Sequence, residues 1–398
     1  MSEERPRNLK AMLTEAKDTS DLMLDLAYAG LFYADKEVSQ EVLELEEELT
    51  RLVHAMREVC LLASRSPSDA AGLASLLQVI GAIETMGNQA VDIAKIVIES
   101  IGIPAEMRAD LMHAEEITDR MTIREQSHLD GRSVEDAELA VHGVRLLGIR
   151  KGSAWRFDPE DEEVLSAGDV LVVRGPDTGI NEIRQLAGVE AKAFPQEEEE
   201  PVPLTELDRA IDIVVEMKDL AEVCMGLAYA SVLFADRALA AEVNRIEDRL
   251  DDMRETLESW ILEAAFEARA RGSLRGLLHL AVASETIGDA AQAMVWLIEK
   301  DEELHPVISV ALGEAEDTVL QAEVEPGSPG DGKTLEELEL SETTGMTVLA
   351  ISSGTRWQYR PTAKSRIAGG DRLVLTGPSE AIDDVRRILS PAALATRS

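Results

Sequence analysis

Two acidic side chains lie four residues apart in a stretch that is otherwise apolar. Glu285 and Asp289 belong to the segment ETIGD, within LRGLLHLAVASETIGDAAQAMVWLIEK. In a helix, this spacing places both carboxylates on one face. Because an unpaired buried carboxylate is costly, such a pair needs a metal ion, an arginine or hydrogen-bond donors close by. The stretch is therefore a candidate site.

The chain is an internal duplication, and the acidic pair has a counterpart in its first half. LAYAGLFYADKEV at 26–38 matches LAYASVLFADRAL at 227–239, and the same offset aligns ETMGN, which ends at Asn88, with ETIGD. Further on, AGDVLVVRGP at 167–176 aligns with GGDRLVLTGP at 369–378. Each half therefore contains the same two modules in the same order.

The first module of each half is helical, and the second combines strands with a helix. From about residue 9 to residue 100, apolar residues recur at three- and four-residue steps. This pattern predicts a short leading helix, two long helices and a tail segment at 103–116, packed as an antiparallel bundle. Strand-like runs at 119–126 and 144–151 and a helix at 179–187 predict a small α+β domain.

The predicted fold class is α+β multidomain, with two antiparallel helical bundles alternating with two small α+β domains. The halves are joined by FPQEEEEPVPL, an acidic, proline-bearing and solvated linker. The predicted order is a bundle, a small domain, the linker, a bundle and a small domain: 1–115, 116–190, 191–204, 205–316 and 317–398.

The charge of the chain excludes several classes of partner. It has 77 acidic and 39 basic residues and a formal net charge of −38. Such a surface repels nucleic acid and anionic lipid. It suits a cytoplasmic protein of a halophile, because high salt screens the repulsion; an ordinary acidic cytosolic protein is the alternative. With no apolar run long enough for a membrane span or a signal peptide, we expect a cytoplasmic protein without direct membrane insertion.

Catalysis has little support in the sequence. The six histidines share no repeat position or metal-ligand spacing, and neither cysteine has an evident histidine partner. The motifs G-x-S-x-G and H-E-x-x-H do not occur. We therefore predict that the protein is not an enzyme.

Motifs in both module types resemble known families. LEEELTRL with ETMGN, and IEDRLDDM with ETIGD, resemble segments of the PhoU-like bundle proteins. The pattern G-x-x-(L/V)-x-x-I, an x-P step and G-D-x-L-x-(V/L)-x-G-P resembles the C-terminal domain of TrkA/RCK regulators of potassium channels and transporters. It occurs twice, with the G-D step at Gly168-Asp169 and Gly370-Asp371. Because no G-x-G-x-x-G follows a strand, we expect no NAD.

The PhoU resemblance implies a metal site in the second half. In PhoU-like proteins, E-x-x-x-D pairs on neighbouring helices resemble ligand clusters for hard cations. Thr50 and Asn88 replace one acid of each pair in the first half, so a divalent or iron-type metal is implied for the second half alone. The implied ligands are its four acids: Glu247, Asp251, Glu285 and Asp289. The alternative is a solvated or ion-paired acidic face, with Arg245 or Arg249 as the partner.

The RCK resemblance implies a ligand between small domains. RCK C-terminal domains usually pair, and some of that family bind cyclic di-AMP in the crevice between the pair. This implies a homodimer or an internal pseudo-dimer and cationic side chains for phosphate. The candidates lie around the first strands of the first small domain: Arg145, Arg150, Lys151 and Arg156. Alternatively, they are surface arginines that offset an acidic surface.

Together, the resemblances imply a cytoplasmic regulatory subunit. We expect it to control a membrane cation transporter or channel, with potassium as the expected ion, through a ligand of the small domains. One alternative is a phosphate-signalling adaptor of PhoU type. Another is a regulator of a divalent-cation transporter, acting through metal in the bundles.

Overall fold

The fold is given by a computed structural model, which describes most of the chain. The described residues are 8–101, 103, 117–137, 139–152, 154–157, 159, 162–192, 206–264, 271–300, 304–315, 317–354 and 356–391. The predicted tail segment at 103–116 and most of the predicted linker at 191–204 lie outside these residues. The helices of the bundle modules are α1 (Leu9–Tyr33), α2 (Lys36–Ala63), α3 (Pro67–Ile98), α5 (Glu206–Phe234), α6 (Arg237–Ala264), α7 (Arg271–Glu299) and α8 (Pro306–Gly313).

Helix α1 has 25 residues, so the prediction of a short leading helix is wrong. It ends at Ala34, which has a left-handed φ of 48°. Asp35 then begins α2 by accepting hydrogen bonds from the backbone N–H groups of Glu37 and Val38. In the second repeat, α5 ends and α6 begins in the same way, with Asp236 in the position of Asp35. A two-residue Ala-Asp step therefore separates two long helices in each repeat.

The helical modules of the two repeats form one compact unit. Helices α1, α2 and α3 pack on one another, α5, α6 and α7 do the same, and α3 packs along α7. The compact unit comprises residues 1–108 and 202–320. Gln78, early in α3, donates a hydrogen bond from Nε2 to the carbonyl oxygen of Ala293, late in α7, so these two helices are antiparallel.

Reciprocal contacts join the two repeats inside this unit. Lys17 Nζ lies 5.4 Å from the centre of the Tyr229 ring, and the equivalent Lys218 Nζ lies 5.1 Å from the centre of the Tyr28 ring. Both lysines are buried. Lys17 also pairs with Asp21 at 2.7 Å. Because each repeat gives the other the same contact, the two are related by a local two-fold axis.

Each small domain is a four-stranded antiparallel sheet with a helix, in the part of the chain that the structure describes. The strand orders are β1-β4-β2-β3 and β5-β8-β6-β7. The elements of the first domain are β1 (Ile117–Thr122), the 3-10 turns η1 (Glu135–Ala137) and η2 (Leu139–His142), β2 (Arg145–Lys151), β3 (Ala154–Phe157), β4 (Val170–Gly175) and α4 (Asp177–Leu186). Those of the second are β5 (Asp317–Glu323), α9 (Leu335–Leu338), α10 (Leu340–Thr344), β6 (Thr347–Ser353), β7 (Arg356–Tyr359), β8 (Arg372–Pro378), η3 (Ser379–Ala381) and α11 (Ile382–Leu389).

The G-D step of the small-domain motif makes a tight turn. Gly168 and Gly370 have φ values of 92° and 93°, a region that favours glycine. The next residue closes the turn, because Asp169 Oδ2 accepts a hydrogen bond from the N–H of Ser166 at 2.9 Å. Asp371 does the same in the second repeat. This part of the motif is therefore structural.

The two small domains of one chain pair with each other. Turn η2 packs against α10, its counterpart in the other repeat. A Cβ placed on Gly345 would lie only 3.9 Å from the Cα of Gly143. The small domains form a second compact unit, residues 109–201 and 321–398. The chain thus groups its modules by type. The association of the two bundles with each other was not predicted from the sequence. The predicted domain boundaries and the number of chains in the assembled protein stay predictions.

Among the helices that the structure describes, none is both long and apolar enough to cross a membrane.

Candidate functional site

The glycine of the E-x-(I/M)-G-(D/N) segment lies where two helices cross. A Cβ on Gly87 would be 2.3 Å from Leu49 Cδ2 on α2, and a Cβ on Gly288 would be 2.8 Å from Leu250 Cδ1 on α6. Only glycine permits so close an approach without rearrangement. The crossing therefore brings the acids of the two helices together in each repeat.

In the second repeat, the acids of α6 and α7 form one cluster. Glu247 is only 7% exposed, and its Oε2 accepts a hydrogen bond from Gln292 Nε2 at 2.6 Å. Asp289 and Asp251 are close neighbours of its carboxyl group. Burial, reinforced by the neighbouring charges of Asp251 and Asp289, raises the pKa of Glu247 to about 7. Glu247 is therefore protonated for part of the time near neutral pH.

The arginine partner of the cluster is Arg254. Its Nε lies 3.6 Å from Glu285 Oε1. Burial and the charge of Asp289 raise the pKa of the Glu285 carboxyl group, and Arg254 opposes this rise. Because α6 and α7 are antiparallel, Glu285 faces the residues that follow Glu247 along α6.

The prediction of Arg245 or Arg249 as the partner is therefore wrong. Arg245 pairs with Glu242 on its own helix, and Arg249 pairs with Glu216 on α5. Gln292 and Arg254 were not predicted as partners of the acids. A sequence signal existed for both, since Gln292 is three residues after Asp289 and Arg254 is three residues after Asp251.

The four predicted metal ligands are neighbours, but the described residues do not form a ligand set. Among them, no group of three or more His, Cys, Asp and Glu side chains is arranged to hold a metal ion. Gln292 binds one oxygen of Glu247, and Arg254 lies beside Glu285. As placed, the residues do not fit a metal, and metal binding stays a prediction.

In the first repeat, each acid of the crossing has a partner from the protein. Thr50 Oγ1 donates a hydrogen bond to Glu46 Oε1 at 2.8 Å. Arg57 binds both oxygens of Glu84, with Nη1–Oε1 and Nη2–Oε2 distances of 3.2 and 2.5 Å. This bidentate pair neutralises the charge locally. The two crossings therefore share a backbone arrangement and differ in chemistry.

The four predicted ligand-binding cations do not converge on one point. Arg145 begins β2, directly after η2, and pairs in register with Arg174 of β4. Lys151 ends the same strand, where its Nζ lies 2.7 Å from Glu163 Oε1. Arg156 also binds Glu163. Six residue steps of about 3.3 Å each along β2 separate Arg145 from Lys151 by roughly 20 Å.

Glu163 was not predicted, yet it organises the cations at the far end of β2. A hydrogen bond from Lys151 and the charges of Lys151 and Arg156 lower the pKa of its carboxyl group. Arg150 lies opposite Trp155 in the β2–β3 ladder. The end of β2 that adjoins the paired η2 and α10 thus contains Arg145 alone among the four. Their role in ligand binding stays a prediction.

Comparison with protein families identifies both modules. The model of the TrkA-C domain matches residues 120–188 and 319–390, and the model of the PhoU domain matches residues 13–97 and 214–296. Among curated proteins, none matches the chain.

Solved structures of both kinds are similar to the chain at low identity. PhoU from Pseudomonas aeruginosa is 16% identical over 73% of this chain and 93% of its own, with a TM-score of 0.39. The GsuK RCK domain is 15% identical over 69% of this chain and 63% of its own, with a TM-score of 0.18. The GsuK channel bound to NAD is 15% identical over 68% of this chain and 53% of its own, with a TM-score of 0.18. The chain thus spans less than two thirds of these two GsuK chains.

PhoU and TrkA-C domains belong to regulatory families and not to catalytic ones. Their matched residues cover both repeats, in the alternating order that the duplication predicts. The chain is a tandem-repeat regulatory protein in which PhoU domains alternate with TrkA-C domains.

Proposed function

We propose that the protein is a cytoplasmic regulatory subunit of a membrane cation transporter or channel, with potassium as the expected ion. The observation that carries this proposal is the pairing of two TrkA-C domains through η2 and α10 within one chain. A ligand bound by such a pair shifts its arrangement if it binds one arrangement more tightly than another. In this proposal, the changed arrangement alters the activity of the membrane partner.

The regulatory ligand in this proposal is an anionic nucleotide, with cyclic di-AMP as the first candidate. Of the four predicted cations, Arg145 is the one next to the paired elements, and Arg174 lies beside it in register. Arginine suits phosphate because its planar donors can bind two oxygens at once. Lys151 and Arg156, which bind Glu163, make a smaller contribution in this proposal.

Calorimetric titration tests the ligand. The full chain, in 2 M KCl, is titrated with cyclic di-AMP. We expect saturable binding that weakens at least about tenfold in Arg145→Ala, as loss of a charge-assisted contact implies. Arg156→Ala is the matched control from the same strand pair and should bind nearly as the unmodified chain does. Equal binding by Arg145→Ala, or no heat with any variant, contradicts the nucleotide proposal.

Copurification from native membranes tests the partner. A potassium or other cation transporter held by the full chain supports the proposal. A phosphate transporter or a histidine kinase instead supports the second candidate, a phosphate-signalling adaptor. That candidate is favoured by the two PhoU matches, at residues 13–97 and 214–296, which both lie in the helical unit. A divalent-cation transporter whose capture depends on added metal supports the remaining alternative.

A further inference from the structure

One face of helix α7 carries large exposed apolar side chains on both sides of the acidic pair. Val282 is 46% exposed and Trp296 is 43% exposed. Asp289, also exposed, lies midway, seven residues from each. Seven residues are nearly two helical turns, so the three side chains line up about 10 Å apart. We call Val282, Glu285, Asp289 and Trp296 the α7 stripe.

The helix beside the stripe is strongly acidic. Residues 247–258 of α6 contain six Asp or Glu residues and two Arg residues. One of these arginines, Arg254, lies between Glu258 at 2.8 Å and Glu285 at 3.6 Å. The other, Arg249, pairs with α5. The stripe therefore combines exposed apolar surface with net negative charge, and charge complementarity requires a basic partner.

The corresponding face of the first repeat lacks these features. Gly81, Asn88 and Lys95 occupy the positions of Val282, Asp289 and Trp296. Lys95 pairs with Asp92 at 2.8 Å. Because the first repeat folds with the same crossing and without the apolar side chains, packing of the bundle does not explain them. Single exposed apolar side chains are common on protein surfaces, but these two lie on one helix face beside an acidic cluster, and the equivalent face of the first repeat has neither of them.

We propose that the α7 stripe docks a basic amphipathic helix from a cytoplasmic segment of a membrane protein. Apolar side chains of that helix pack on Val282 and Trp296, and its Lys or Arg side chains face Glu285 and Asp289. Val282 and Trp296 lie nearly four helical turns apart, so the partner helix needs at least four turns to contact both. That the partner is a membrane protein rests on the proposed function, and cytoplasmic segments of membrane proteins near the bilayer are rich in Lys and Arg.

Other occupants fit the stripe less well. A metal ion alone would use the carboxylates and leave Val282 and Trp296 exposed. An anionic lipid surface would be repelled by the acids of α6 and α7. A basic helix accounts for both kinds of side chain at once.

A binding measurement with a defined peptide tests the proposal. The probe is a fluorescein-labelled, 22-residue, alanine-based helical peptide with leucine at every seventh position and arginine one turn to each side. Its partner peptide has glutamate in place of arginine. Anisotropy is measured with the full chain in 0.15 M and 2 M KCl. We expect binding of the arginine peptide, and at least about tenfold weaker binding of the glutamate peptide in 0.15 M KCl.

Matched variants locate the binding face. We expect Val282→Ser with Trp296→Ser to weaken binding of the arginine peptide at least about tenfold, because aromatic anchors dominate such contacts. Gly81→Ser with Lys95→Ser, the same positions in the first repeat, should leave binding unchanged. We expect Asp289→Asn to weaken binding about threefold in 0.15 M KCl and less in 2 M KCl, where charges are screened within about 3 Å.

Several results would overturn the proposal. Equal binding of the two peptides in 0.15 M KCl removes the charge argument. Unchanged binding of the arginine peptide to the Val282→Ser and Trp296→Ser variant shows that the peptide does not bind at the α7 stripe. If sedimentation shows that this variant changes only the oligomeric state and the peptide does not bind, the face is a contact between copies of the chain. Peptide binding at the stripe without capture of any transporter contradicts the proposed function and leaves the docking surface intact.

Discussion

The two acidic crossings of this protein share one helix geometry and neutralise their acids to different extents. In the first repeat, Arg57 holds both oxygens of Glu84. In the second, Glu247 faces the carboxylates of Asp251 and Asp289. The glycine that lets the helices meet is common to both. The fold therefore does not depend on Asp251 and Asp289, the two acids that the first repeat lacks, and these add charge at a cost that folding alone does not require.

The largest expected effect comes from breaking the shared geometry. Gly87→Val should destabilise the helical unit by about 3 kcal/mol and Gly288→Val by about 2 kcal/mol, because overpacking costs more where the approach is closer. Leu49 and Leu250 are buried and cannot move aside without disturbing the core. Urea unfolding followed by circular dichroism measures both changes. Gly81→Ala is the control, since nothing lies within 4 Å of its new Cβ, and it should be neutral or slightly stabilising. Equal destabilisation by all three variants contradicts the prediction.

The next effect depends on pH and on the second repeat alone. Because the pKa of Glu247 is raised to about 7 from an ordinary 4.5, the folded chain binds a proton more tightly than the unfolded chain. The contribution of the Glu247 carboxyl group to the free energy of unfolding is therefore fully present below about pH 4.5 and is lost as the pH rises through about 7. Glu247→Gln should stabilise the protein by about 1–2 kcal/mol at pH 8 and change little at pH 4.5.

The matched control for this prediction is Glu46→Gln in the first repeat. It removes the charge of Glu46, keeps a side-chain oxygen that can accept the Thr50 hydrogen bond, and relieves no facing carboxylate pair. Unfolding free energies of both variants are compared between pH 4.5 and pH 8. A flat difference for Glu247→Gln across this range would falsify the assignment of the raised pKa.

A smaller effect follows from removing the arginine of each crossing. Arg254→Ala should cost about 1.5 kcal/mol, because Glu285 then faces Asp289 without a cation. Arg57→Ala should cost about 0.5–1 kcal/mol, since its pair with Glu84 is partly exposed to water. Thermal unfolding of the two variants at low salt gives the comparison. The opposite order would mean that the acids of the second repeat are stabilised by something other than Arg254.

The smallest effect concerns metal. If Mn²⁺ binds the cluster, the unfolding free energy should rise by only about 0.4 kcal/mol at a free Mn²⁺ concentration equal to Kd. The effect should disappear in Asp289→Asn, which copies the first repeat. Metal content of the purified chain and of this variant is measured in parallel. Equal, near-zero content in both contradicts the metal prediction, and Asn88→Asp tests whether the first repeat can acquire a site.

Much of the fold could be predicted from the sequence, because repeated motifs carry their own structural reasons. The G-D step recurs in both halves, and in both its glycine has the positive φ that the turn requires. The duplication predicted equivalent helices and strands in both halves. The packing of the two bundles against each other was not predictable from helix periodicity. A helix face that is buried against another repeat has the same pattern of apolar residues as a face buried within its own bundle.

The site was predictable in its acids and not in their partners. Spacing along one helix identified Glu285 and Asp289, but the partner Arg254 depends on the register of two antiparallel helices. Likewise, a bulge between Leu146 and Gly148 shifts the register of β2, and with it the direction of the cations near its end. Such irregularities leave no clear mark in the residue types.

The reciprocal contacts of Lys17 with Tyr229 and of Lys218 with Tyr28 have a consequence for stoichiometry. In a dimer of identical subunits, every surface feature occurs twice, and a partner meets two equal sites. Here the two-fold arrangement lies within a single polypeptide, so a change in one copy is not imposed on the other. The second copy has two acids, Asp251 and Asp289, and two exposed apolar side chains, Val282 and Trp296, that the first copy lacks. If the α7 stripe is the docking face, as we propose, a chain takes up one partner helix there and none at the equivalent face of the first repeat.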